Sequence, residues 1–367
     1  MKRILVEVAK GKTQTASSKA RDDVTTILAS RGFEVAWVHV GDSTDYRDLL
    51  KDLHSSHGQL KEILADIEPG SVLAFQYPWD SQMLAFARAI KKTAKKKGLT
   101  TIALVHDLNS LRTQSALGLK YYQLMVNEYA FLDCFDYVIC HNAAMAEHLF
   151  FHQISGDKLI RLDLFDYLLA NEQIPSRVRF ARTVSVAGNL SPLKAPYVSL
   201  LPQLGNKSYS FELYGVGYEG RSAEGVLEYK GSFDPDELPL QLDHGFGLVW
   251  DGDSLDGCTG PLGTYERYNN PHKLSLYHAC GMPVIVWAGA ATASFVKEHE
   301  TGLVVRSLFE LEDVLASVTQ EQFEHYASNA RAIGALAREG AFLNRALAKI
   351  PVLQDEPCPT TDPSPHS

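Results

Sequence analysis

Two tandem α/β domains, each a parallel sheet with crossover helices in the Rossmann manner, are the fold the sequence predicts, and three observations predict it. Short β-branched runs alternate with longer segments of helical periodicity over residues 1–167, and the alternation starts again at 183. A length of 367 residues exceeds one ordinary core and suits two domains of about 150 residues each. Residues 168–181 are polar and carry Pro175, as a linker would. The expected division is 1–170, 182–320, a helical segment 321–350 and a tail 351–367.

In the first half the β-branched runs place strands at 3–8, 34–40, 72–76, 101–106, 137–141 and 159–164, with helices at 18–30, 46–67, 81–97, 119–134 and 143–152 between them. In the second half strands fall at 183–187, 210–214, 247–250, 283–287 and 302–305. Helices are expected at 193–204, 235–242, 271–280, 290–298, 308–317 and from 320 toward 349. The last seventeen residues contain five prolines and few apolar side chains, the composition of a disordered tail. Long C-terminal helices can cross back to the first domain, which leaves a cleft between the carboxyl ends of both sheets, where such folds bind ligands.

Composition narrows the function classes. A hydrophobic fraction of 45% and a charged fraction of 22% describe an ordinary globular chain. A net charge of −9 gives no footprint for a nucleic-acid partner. One basic run, Lys91 to Lys97, ends a predicted helix; it reads as a solvated helix end and leaves loose association with a membrane surface open. The N-terminus lacks a secretory pattern, and no segment approaches the roughly 18 apolar residues of a membrane span. The chain is expected in the cytoplasm. Five cysteines without a CxxC imply neither a disulfide framework nor a zinc knuckle.

The stretch most suggestive of chemistry is NNPHKLSLYHACGMPVIVW, 269–287. Asn270 suits a helix N-cap and Pro271 the first helical position; Gly281 ends the helix. Lys273 then sits in the first turn, where the dipole disfavours a cation by roughly 0.3–1 kcal/mol. A free helix N-terminus with an added lysine suits an anion, and in an α/β protein a phosphate. Three further segments converge on it from carboxyl strand ends: Ala187-Gly188-Asn189-Leu190, Tyr214-Gly215-Val216-Gly217 and the approach to Trp250. Their glycines let backbone approach a ligand, Tyr214 could stack on a base or bond a phosphate, and Lys194 and Lys273 could neutralise a diphosphate.

Other motifs carry less. GKT after the first strand is not a Walker A loop, because Val6 stands where that motif needs glycine; Ser17 and Ser18 there either cap the first helix or line the cleft. His106-Asp107 ends the fourth strand and reads equally as a general base or as a packed histidine with a capping aspartate. The loop DGDSLDG, 251–257, has an Asp-x-Asp, but Leu255 and Leu262 break a calcium-loop pattern, and no metal site is expected. His148 and His152 lack the glutamate of a metalloprotease helix and read as surface histidines.

GFGLVW and the 269–287 stretch, together with VHD, ASSKA and AGNL, resemble bacterial glycosyltransferases of GT-B architecture: the β-1,6-galactofuranosyltransferases, and the glucosyltransferases that extend O-linked GlcNAc on serine-rich-repeat adhesins. The likeness covers about residues 1–350. It implies a UDP-sugar donor held mainly by the second domain, a glycan or glycoprotein acceptor entering from the first, and transfer without a metal or other cofactor. Lys273 matches the family's lysine on the UDP phosphates, Asn269 its helix-entry asparagine, and Ser17 and Ser18 the loop beneath the donor. Lys194 stands where some relatives place an arginine, giving a point charge instead of a bidentate fork. The segment 258–268 is longer than in the adhesin enzymes. The expectation is inverting transfer of galactofuranose or glucose to a hydroxyl, with Asp107, alone or with His106, as base. A homo-oligomer is compatible with it. The rival readings are a non-catalytic glycan-binding or partner subunit with the same fold, and a UDP-sugar 2-epimerase.

Overall fold

The computed structural model describes all residues except 10–15, 40–45, 79–82, 114–118, 171–172, 176, 206–207, 223 and 355–367. The first half runs β1 (Arg3–Ala9), α1 (Ala16–Ser30), β2 (Phe33–His39), α2 (Tyr46–Asp66), β3 (Val72–Tyr77), α3 (Met83–Lys97) and β4 (Thr100–Val105). It continues with α4 (Asn109–Arg112), α5 (Leu119–Leu132), β5 (Tyr137–Cys140), α6 (Ala143–Phe151) and β6 (Leu159–Arg161). These strands form a parallel sheet of order β2-β1-β3-β4-β5-β6. Successive residues of β1, Leu5 and Val6, are both fully buried but in different apolar clusters, one on each face. Helices cover both faces of the sheet, which is why its strands read as apolar runs without alternation.

The second half runs β7 (Arg179–Ala187), β8 (Ser210–Tyr214), β9 (Leu227–Gly231), α7 (Leu238–Gln241), β10 (His244–Val249), α8 (Gly260–Tyr265), α9 (His272–Ala279) and β11 (Val284–Trp287). Then come α10 (Ala293–Glu298), β12 (Gly302–Val305), α11 (Leu311–Ser317), α12 (Gln320–Arg338) and α13 (Ala341–Leu347). Its parallel sheet has the order β12-β11-β10-β7-β8-β9. The direction of strand order reverses between β7 and β10, and a crevice opens beyond their carboxyl ends.

Beyond the short helices α4 and α8, which the sequence does not predict, and the shorter β6, the structure departs from the sequence expectation in the following places, each for a local reason. Strand β9 is not among the strands the sequence predicts, because it is an edge strand whose apolar run is broken by Glu228 and Lys230. The helix expected over 193–204 is a 3₁₀ segment, Pro196–Leu204, because Pro202 withholds an N–H inside it. The helix expected from 320 to 349 breaks at Gly340, which takes the left-handed conformation at φ 74°. Residues 351–354 do not belong to a free tail: Leu353 is buried and its carbonyl accepts from Arg31, the residue after α1, at 3.3 Å.

The break at Gly340 is what lets the chain cross back. A side chain at Gly340 would lie 2.9 Å from Ile27 of α1. Asp166, at the end of the first domain, accepts the Phe342 and Leu343 N–H groups of α13 at 3.1 and 2.8 Å, doing the work of an N-cap. Among the described residues no helix is long and apolar enough to cross a membrane.

Candidate active site

The crevice of the second domain is built on close backbone approach. Gly247 of β10 lies under the ring of Tyr277, and a Cβ there would meet the ring at 2.2 Å. The Tyr277 hydroxyl accepts the Ala187 N–H at 2.9 Å and donates to the Ser185 carbonyl at 3.0 Å, pinning α9 to the end of β7. Gly215, at φ 148°, presses against Gly188, whose carbonyl oxygen would be 1.7 Å from a Cβ at position 215. Gly215→Ala is therefore expected to cost about 2–4 kcal/mol through clash and backbone strain, read as a Tm lowered by roughly 5–15 °C, with loss of ligand binding at this end of the sheet.

Lys273 points into this crevice. Its Nζ donates to Asp251 Oδ1 at 3.0 Å and to the Trp250 carbonyl at 3.3 Å, and its stem passes over Gly188. Burial alone would lower the ammonium pKa, but Asp251 and then Glu266 hold it above the ordinary lysine value. Glu266 is 1% exposed and neither of its carboxyl oxygens has a hydrogen-bond partner. Burial first and the Asp251 charge second push it well up, against the pull of Lys273. The Asn269 Oδ1 and His272 Nε2 atoms close by in the chain are also buried without protein partners. Unpaired buried polar atoms around a helix N-terminus leave donors and acceptors for water or a polar ligand to satisfy.

Several expected residues take other roles. Asn270 is not the N-cap: Pro271 occupies that position with no side-chain cap. Asn270 instead ties the two domains together. Its backbone N–H donates to His141 Nδ1 at 2.9 Å, its amide donates to the His141 and Asp163 carbonyls at 2.8 and 3.0 Å, and its Oδ1 accepts from Asn142 at 2.8 Å. Tyr214 does not face a ligand either: its ring is buried and its hydroxyl donates to Glu212 at 2.5 Å, since residues two apart on a strand share a face. Asn189 is exposed and closes a turn through the Ser191 N–H at 3.0 Å, and Lys194 is exposed at the cleft edge. Ser17 and Ser18 fall inside the first turn of α1 and not before it, so neither is its N-cap; their side chains lie outside the described residues. The aspartates of the Asp-x-Asp pair are engaged by protein groups, Asp251 with Lys273 and Asp253 with the Thr259 hydroxyl at 2.6 Å. His148 and His152, expected at the surface, are half-buried: their rings meet each other and Tyr129 edge-on or tilted, and the Tyr129 hydroxyl bonds His148 Nε2 at 2.7 Å.

Across the cleft, β4 delivers His106 and Asp107. Gln76 donates its amide to the Arg21 carbonyl at 3.2 Å and to the Thr25 hydroxyl at 2.9 Å, which turns its oxygen toward His106 Nε2 at 2.6 Å. Nε2 therefore carries the proton. Burial, then the nearby Arg21 charge, hold this imidazole well below its usual pKa, and the ring stacks on Phe165. Asp107 is partly exposed and pairs with Arg112 at 2.7 Å. Burial raises its carboxyl pKa, while Arg112, Tyr265, Arg21 and Lys194 act in the opposite direction. Arg21 was not singled out by sequence, being one charge among several on α1; it binds Glu7 at 2.6 Å and the Gln76 carbonyl at 3.3 Å.

Comparison with known proteins identifies the family and the fold. Residues 2–164 match the family model described as Glucosyltransferase 3-like, N-terminal domain, and residues 184–350 match Glucosyltransferase 3-like, C-terminal domain. The chain is 30% identical over 299 residues to the β-1,6-galactofuranosyltransferase WbbI of Escherichia coli K12, a match spanning 80% of this chain and 82% of that protein. It is 27% identical over 339 residues to Glucosyltransferase 3 of Streptococcus gordonii, spanning 91% and 93%. Among solved structures, Anabaena HepE in complex with UDP and glucose superposes with a TM-score of 0.63 at 11% identity, covering 97% of this chain and all of that one. Sucrose-phosphate synthase of Thermosynechococcus elongatus gives 0.62 at 15% identity with the same coverage. At such identities the structural likeness speaks for the fold, the GT-B arrangement of two facing Rossmann-like domains.

Proposed function

Since the chain belongs to the Glucosyltransferase 3-like family and is a glycosyltransferase, we propose that it moves a hexose, galactofuranose or glucose, from a UDP-sugar to a hydroxyl of a glycan or glycoprotein, with inversion and without a metal. The observation that carries this reading is Lys273, held at the mouth of α9 among unpartnered polar atoms, with the Asp107 carboxylate facing the same cleft from the other domain. Relatives point the same way: HepE was solved with UDP-glucose and with UDP, and the curated relatives are a galactofuranosyltransferase and glucosyltransferases.

In this reading Asp107 takes the proton from the acceptor hydroxyl as its oxygen attacks the anomeric carbon. The bond from that carbon to the UDP oxygen breaks on the opposite side of the sugar. Negative charge grows on the departing diphosphate, where Lys273 and the free N–H groups of α9 already point, so stabilisation needs no reorganisation. His106, neutral and bonded to Gln76, borders the base and does not compete for the proton.

A thermal-shift panel tests the donor. UDP, UDP-glucose and UDP-galactofuranose, each with EDTA present, are expected to raise Tm, since a ligand at 100 times its Kd stabilises by about 2.7 kcal/mol. ADP- and GDP-sugars are expected to leave Tm unchanged. A shift only with adenosine or guanosine nucleotides, or only in the absence of EDTA, contradicts the reading. Conversion of UDP-GlcNAc without any acceptor would favour an epimerase instead.

A further inference from the structure

The segment 258–268 has a defined structure and a position between the two halves of the site. It folds into α8, a short helix started by Gly260 and Pro261 and packed so closely that a Cβ at Gly263 would lie 2.5 Å from the Cys258 carbonyl carbon. Although α8 belongs to the second domain in sequence, Tyr265 is 3% exposed within an apolar cluster otherwise drawn from the first, beside Leu108 and Leu111. Its hydroxyl accepts the Leu108 N–H at 2.9 Å and faces the Asp107 carboxylate. The next residue, Glu266, faces Asp251 and Lys273. Consecutive side chains of one short element thus reach the base on one side and the anion-site lysine on the other.

We propose that Tyr265 is a positioning residue, which from the donor domain holds the Asp107 carboxylate and its loop in the geometry for proton removal. The inference rests on Asp107 being the base. One hydroxyl does two jobs here: as acceptor it fixes the backbone one residue beyond Asp107, and its own proton, on the carboxylate side, works against the rise that burial gives the Asp107 pKa. The remaining supports of the loop come from the first domain: Glu128 accepts the Asn109 and Ser110 N–H groups at 2.8 and 3.1 Å, and Arg112 pairs with the carboxylate itself. Only Tyr265 and Lys194 reach this loop from the donor domain among the groups that act on Asp107, and Lys194 is exposed. The base is therefore set by contact between the domains.

The charged groups around Asp107 are Arg112 from α4, Arg21 from α1 and Lys194 from the connection after β7, with neutral His106 alongside. Burial lifts the Asp107 carboxyl above the ordinary carboxylate range, so its titration is read on the acidic limb of kcat. Removing the Tyr265 hydroxyl takes one donor from the carboxylate, and the limb moves up.

Tyr265→Phe keeps the buried ring and removes only the hydroxyl. UDP release is measured from the donor selected in the thermal-shift panel, with octyl β-N-acetylglucosaminide as acceptor or water where that glycoside is not used. The expected result is a kcat lower by roughly 10- to 100-fold, a donor KM within about threefold of wild type and an acidic limb of kcat raised by about half to one pH unit. A limb that superimposes on the wild-type curve overturns the proposal. Fluorotyrosine at position 265 provides the opposite perturbation in a nearly unaltered side chain: a stronger donor lowers the limb, and an unmoved limb again overturns it. Asp107→Asn in the same assay separates the two claims. If Asp107→Asn stays active, the base assignment fails; if it is inactive while both Tyr265 variants keep the wild-type limb, only the role of Tyr265 fails.

Discussion

Lys273→Ala is expected to lower kcat/KM by about 30- to 1,000-fold, the equivalent of about 2–4 kcal/mol of transition-state stabilisation. Three features of its surroundings support an effect of that size. The lysine occupies the second position of α9, where the helix dipole opposes a cation, so a compensating anion is required. In the unliganded protein Asp251 supplies it at 3.0 Å. A diphosphate offers more charge at the same place and adds the helix N–H groups as donors. The variant also loses stability, because Asp251 is left without its cation. The sign is settled by the raised lysine pKa. Stability from a cation held above its unfolded value is fully present below 10.5 and fades only above it, so the loss is expected throughout the working pH range. Measuring kcat/KM below the variant's own Tm separates the two effects. Turnover near that of wild type would show that the lysine does not bear on the leaving group.

Asp107→Asn is expected to lower kcat by about 10²- to 10⁴-fold while leaving UDP-induced stabilisation within error of wild type. Asparagine keeps the shape and can still approach Arg112, so the loop should hold, but it cannot accept the hydroxyl proton. In the wild-type protein burial lifts the Asp107 pKa above the ordinary 3.8, and Arg112 and Tyr265 limit the rise. Activity is accordingly expected to fall on the acid side at a pH above the ordinary carboxylate range. An Asp107→Asn variant that turns over normally, or one that loses UDP binding instead of turnover, would remove this residue from the role of base.

The parallel strands were legible because buried strands must be apolar on both faces, as β3 and β4 are throughout. Edge strand β9 was not, since Glu228 and Lys230 break the run. Lys273 could be found from sequence because a cation in a first helical turn is a local conflict, visible without knowing the fold. The orientation of Tyr214 was also local information: it lies two residues from Glu212 on one strand, and the shared face explains their hydrogen bond. By contrast, nothing near Tyr265 in sequence points to Asp107, 158 positions away, since their proximity arises from docking one domain on the other. Asn270 was misread for the same reason. A cap is a local signal, whereas its four hydrogen bonds to His141, Asn142 and Asp163 exist only in the assembled pair of domains.

The central claim is that the anion site at the head of α9 receives the diphosphate of a UDP-sugar, and a crystal structure of the protein with UDP tests it most directly. The account predicts a phosphate oxygen roughly 2.7–2.9 Å from Lys273 Nζ, with the 3.0 Å Lys273–Asp251 contact lengthened or shared. UDP bound elsewhere, with Lys273 still paired to Asp251 as before, would contradict it.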